Sequence, residues 1–117
     1  MAIPIVHYLS SPDLERGALP ANPTSCAVVI NAEIGPLKAA AENFSFIVVT
    51  PDQLLPRGGI RWGRGYLIVD EFSWEAVESS INKLLLFADR PTWKESAAQL
   101  AKEMHWEFEG HSEFVRR

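Results

Sequence analysis

A chain of 117 residues has room for one domain with one hydrophobic core, and its shares of apolar (47%) and charged (22%) residues are those of an ordinary folded protein. The net charge of −4 argues against a general nucleic-acid binder, which needs a basic surface to displace counterions, and is compatible with a basic protein partner. A single cysteine, Cys26, excludes an internal disulfide, and no apolar run approaches the ~20 residues of a membrane span.

In chain order, "IPIVHYL" (3–9) reads as a strand, which Pro4 confines to an edge of a sheet. The opening "MAIPIVHYLSSPD" has no basic n-region, so it does not read as a secretory signal, and a cytoplasmic location is expected. A connector rich in Pro, Ser and Gly follows. In "CAVVINAEI" (26–34) the two-residue period of a strand puts Cys26, Val28, Ile30, Ala32 and Ile34 on one face. Cys26 there reads as a small buried hydrophobe. "GPLKAAAEN" (35–43) opens as a turn and "FSFIVVT" (44–50) resumes a strand, so the two runs are expected to pair antiparallel. "PDQLL" (51–55) fits one helical turn begun by proline.

"PRGGIRWGRG" (56–65) is a glycine-rich loop and "YLIVD" (66–70) another strand. The period then changes. Trp74, Val77, Ile81, Leu84 and Leu85 form one helical stripe behind Ser73, a candidate N-cap. "ADRP" (88–91) connects to a second helix, where Thr92 and Glu95 have capping-box spacing and Trp93, Ala97, Leu100, Ala101 and Met104 make the stripe. "HWEFEGH" (105–111) closes the chain as a strand with Trp106 and Phe108 on one side. The expected fold is α+β, a single domain over 1–117: a mostly antiparallel sheet of about five strands with two helices on one face, in the order β-β-β-β-α-α-β.

Three groups of residues could carry chemistry. On a straight strand His105, Glu107, Glu109 and His111 would share a face, but at ~3.3 Å per residue the two histidines lie roughly 20 Å apart. One metal ion gathers ligands at ~2 Å, so a solvated polar face is the favoured reading, and no metal or other cofactor is expected. In the loop, Arg57, Arg61 and Arg64 surround Trp62, a pattern that could stack and neutralise single-stranded RNA. Against that stands the acidic total. The third group is acidic: Asp70, Glu71, Glu75 and Glu78 cluster at a strand end and a helix start, and Glu103, Glu107, Glu109 and Glu113 form a second cluster near the end of the chain. These are either solvated faces or an anionic surface that steers a cationic partner. No Ser/His/Asp set, CxxC pair or dinucleotide fingerprint is present.

Four landmarks occur in order: "AEIGP" (32–36), "FSFIVVTPDQLL" (44–55), "YLIVDEFSWEAVE" (66–78) and "TWKESAAQLAKEMHWEFEG" (92–110). Over roughly 24–110 the chain resembles the immunity protein 8 family of bacterial polymorphic toxin systems. The resemblance implies an α+β protein that is not an enzyme. It would bind the C-terminal domain of a cognate secreted toxin, for example a nuclease with a basic surface, and so protect the producing cell. No direct contact with nucleic acid or membrane is implied. The matching positions are Glu33, Gly35, Pro36, Pro51, Trp93, Trp106, Glu107 and Phe108, several of them read as structural; Gln53–Leu54 stand where many members carry Trp–Leu. Under this resemblance, Asp70, Glu71, Glu75, Glu78, Glu107 and Glu109 become the candidate toxin-binding residues. The alternative is an intracellular binding module that takes another protein or RNA on the Arg57–Arg64 loop, and a weaker third is a small metal-dependent enzyme built around His105, Glu107 and His111.

Overall fold

The computed structural model describes residues 4–55 and 63–108. Alternation in the sequence sets up its central strands. In β2 (Ala27–Gly35) the even-numbered residues Val28, Ile30, Ala32 and Ile34 are buried, and Cys26 just before it joins them. In β3 (Glu42–Val49) the alternating Phe44, Phe46 and Val48 are buried on the same side. The two strands pair antiparallel from Ala27↔Val49 to Ile34↔Glu42, as the sequence leads one to expect. Gly35 ends β2 where the returning chain passes over it: a Cβ there would meet Ala40 O and Ala41 Cα at 3.0 Å.

β1 (Ile5–Ser10) lies at the edge, antiparallel to β2, with a register shift between Val6 and Tyr8 that leaves His7 as the extra residue of a bulge. That shift puts Val6 opposite Ile34 and Leu9 opposite Ala32, so both can join the core. After β3 comes the one-turn helix α1 (Pro51–Leu54), with proline at its start. β4 (Tyr66–Ile68) then pairs with β3 in parallel, and β5 (His105–Trp106) pairs with the same strand antiparallel. The sheet is therefore mixed, with three of its four pairings antiparallel.

Two helices cover the core face. α2 (Trp74–Ala88) starts at Ser73, whose Oγ accepts from Ala76 N–H at 3.1 Å, and it buries Trp74, Val77, Ile81, Leu85 and Ala88. Leu84, on the expected stripe, is half-buried and packs against the core. α3 (Trp93–Leu100) starts at Thr92, whose Oγ1 accepts from Glu95 N–H at 3.2 Å. The Glu95 carboxylate then accepts from the Thr92 hydroxyl at 2.8 Å, so the pair closes side chain to side chain. Phe44, fully buried, anchors an aromatic cluster: Trp106 stacks on it at 6.1 Å, and Trp93 meets it edge-on at 6.2 Å. Each such pair adds ~0.5–1.5 kcal/mol beyond simple burial.

The closing strand is shorter than the sequence pattern implies. Its pairing ends at Trp106, and Glu107 and Phe108 form a turn. Phe108 is exposed, with its ring edge-on to Trp106 at 6.1 Å, so it extends the aromatic cluster to the surface and does not seal the core.

Candidate functional site

The acidic residues singled out in the sequence fall into two groups. Asp70 and Glu71 follow β4, Glu75 lies in the first turn of α2, and all three are exposed with no side-chain hydrogen bond or ion pair among the described residues. Glu78, one turn further, pairs with Arg16, whose guanidinium also lies 4.9 Å from the Trp74 ring centroid. Trp74 Nε1 donates to Ala18 O at 2.7 Å and Phe72 N–H to Pro23 O at 2.8 Å, so the 11–25 connector is fastened to the start of α2. Nothing local in the sequence announces Arg16, because its partner is 62 residues away.

Glu107 is elsewhere. Its Oε1 accepts from Asn43 N–H at 2.6 Å and its own N–H donates to Asn43 O at 3.0 Å, which ties the end of β5 to β3. Ile68 pairs with Val49 and Trp106 with Phe44, so the strands that lead to the two acidic groups meet β3 at positions about 17 Å apart at ~3.3 Å per residue. Glu109, His111 and Glu113 lie outside the described residues.

The other matching positions have structural surroundings. Pro51 opens α1, Pro36 O receives the His7 ring Nε2 at 2.9 Å, and Trp106 Nε1 donates to Glu42 Oε1 at 2.9 Å. Glu33 is exposed on the outer face of the sheet, between Tyr8 and Asn43 by register.

Arg57, Arg61 and Trp62 of the glycine-rich loop lie outside the described residues, but Arg64 is defined. Its Nε donates to Ala101 O at 2.8 Å and its Nη2 to Met104 O at 3.0 Å, so it caps the carbonyl end of α3. Gly65 N–H donates to Glu103 O at 3.0 Å, and Gly65 O accepts from Ile47 N–H at 2.8 Å. Gly65 has a φ of +89°, a region natural to glycine. Arg64 and Gly65 together clamp the turn after α3 onto β3. Of the three arginines that the sequence offered for RNA, Arg64 is engaged with backbone carbonyls.

Two grooves flank α2. One, about 560 Å³, lies between β1, at Val6, Tyr8 and Leu9, and the helix residues Glu78, Ile81 and Asn82. The other, about 210 Å³, is mostly apolar. Phe46, Tyr66 and Leu67 of the sheet, Ile81 and Leu84 of α2, and Met104 line it; Ser80 and the exposed Glu103 add a hydroxyl and a carboxylate.

A polar knot closes the far end of β2. Thr50, fully buried, accepts from Cys26 N–H at 3.0 Å and donates to Asp52 Oδ1 at 2.6 Å. Ser25 Oγ donates to the other carboxylate oxygen. The hydrogen bonds from Ser25 and then Thr50 hold the Asp52 carboxyl below its ordinary range. Burial, followed by the nearby Asp52 charge, pushes the Cys26 thiol up, so it stays protonated and is a poor nucleophile. Among the described residues no group of three or more His, Cys, Asp or Glu is arranged to hold a metal, and no helix is long and apolar enough to cross a membrane.

No curated protein and no solved structure matches the chain. A family model does: immunity protein 8 matches residues 6–111. The match takes in β1 and the 11–25 connector as well as the segments from residue 24 onward. The chain belongs to the immunity protein 8 family and is an immunity protein of a toxin system.

Proposed function

We propose that the chain protects its own cell in a bacterial polymorphic toxin or contact-dependent inhibition system by forming a stable cytoplasmic complex with the C-terminal domain of one cognate toxin. Its action is binding, with no chemical step of its own. The observation that carries this reading is the family match across 6–111. The toxin domain is basic, as a nuclease must be around its phosphate-binding surface. Asp70, Glu71 and Glu75, exposed and free of partners among the described residues, steer it and meet it. Glu78, held by Arg16, adds to the field around that surface, and Glu107 and Glu109 are proposed as further contacts on the toxin. Co-expression tests the reading. Cells making the toxin domain encoded beside this gene should grow only when this chain is also made, and the two proteins should co-purify. Growth arrest despite abundant chain would overturn it.

A further inference from the structure

We infer that the 210 Å³ cavity between α2 and the turn after α3 seats one long cationic side chain, lysine or arginine, of the bound toxin. This rests on the toxin-binding reading and gives that partner a specific anchor. Size is the first argument. Cavities that enclose small-molecule ligands measure ~300–1,000 Å³. This one is smaller and suits a single side chain.

Chemistry is the second argument. Phe46, Leu67, Leu84 and Met104 offer apolar walls to a methylene stem, and Glu103 offers a carboxylate to its end. The described residues lining the cavity include no lysine, arginine or histidine. A purely apolar side chain would leave the Glu103 carboxylate without a partner in the complex, and an acidic one would be repelled. A long cation satisfies both parts.

The third argument is rigidity. Arg64 and Gly65 hold the backbone at Ala101, Glu103 and Met104 by three hydrogen bonds, so that wall is in place before binding and little ordering remains to oppose it. Phe87, 80% exposed, follows Ser80 by seven residues and Leu84 by three, which sets it on the same flank of α2. It does not line the cavity itself, but it offers exposed apolar surface on that flank to a partner seated there.

The experiment measures binding of the cognate toxin domain to the unaltered chain, to Ser80→Trp, which fills the cavity, and to Glu103→Lys, which reverses its charge. Thermal melts accompany the Trp variant; if it does not fold, the exposed Glu103→Lys decides alone. Each variant should bind ~10-fold or more weakly, mainly through faster dissociation. Changing one lysine or arginine of the toxin to glutamate should restore binding to Glu103→Lys. If the unaltered chain binds while both variants stay within about twofold of it, the anchor is wrong. If the unaltered chain does not bind, the toxin reading falls, and the anchor with it.

Discussion

Gly65 lies against the His105 imidazole so closely that a Cβ on it would come within 2.5 Å of Nε2. With its φ of +89°, this glycine meets two separate constraints, one steric and one conformational. Gly65→Ala should therefore destabilise the fold by ~1–3 kcal/mol. Adding His105→Ala should recover only the steric part, because the backbone strain remains. Urea unfolding of the single and double variants measures both parts; full recovery in the double variant would mean the positive φ is without consequence.

Arg64→Ala removes two charge-assisted bonds to Ala101 O and Met104 O and should cost about 1–2 kcal/mol. Arg64→Lys should recover only part of that, since a single ammonium cannot reproduce the fork that reaches both carbonyls. Denaturant midpoints of the two variants test this ordering.

The acidic residues should separate by behaviour. Reversing Asp70, Glu71 and Glu75 together should slow association with the toxin in a salt-dependent way and leave stability within ~0.5 kcal/mol. Glu107→Lys should lower stability, because it deprives Asn43 N–H of its acceptor. Glu78→Lys sets two cations together at Arg16, and this exposed site should lose little. Stopped-flow association at low and high salt, alongside melts, distinguishes the groups.

The knot at Thr50 gives a pH signature. Asp52 has a lowered pKa in the folded state, so its stabilisation is present above the ordinary carboxylate value of ~3.9 and is lost as pH falls through the lowered value. Wild type should exceed Asp52→Asn in urea midpoint at neutral pH, and the gap should close in acid. The raised Cys26 thiol works at the other end, its contribution being lost as pH rises past the ordinary value of ~8.5. Thiol alkylation should accordingly be slow in the folded protein and fast in urea.

What the sequence makes legible is local periodicity. The Cys26–Ile34 alternation and the Trp74–Leu85 stripe both depend on spacing within one element, and nearly all of those side chains are buried. Trp93 and Trp106 are likewise found where the pattern puts them, around Phe44. The parallel pairing of β4 is not legible, since three residues that reach β3 across a long loop carry no register of their own. Nor is the Arg64 cap, because a surface-bound arginine and one aimed at carbonyls 37 and 40 residues away look alike in sequence. The separation of Glu107 from Asp70–Glu75 is of the same kind, visible only once β3 has received partners at both ends. The 210 Å³ cavity depends on four separate segments and has no sequence signal.

Toxin binding is measured by calorimetric titration of the purified chain with the C-terminal toxin domain encoded beside it. A one-to-one complex with nanomolar or tighter affinity, weakening as salt rises, is the expected result. No detectable heat or complex with a folded, active toxin domain would mean that this chain does not act by binding that toxin.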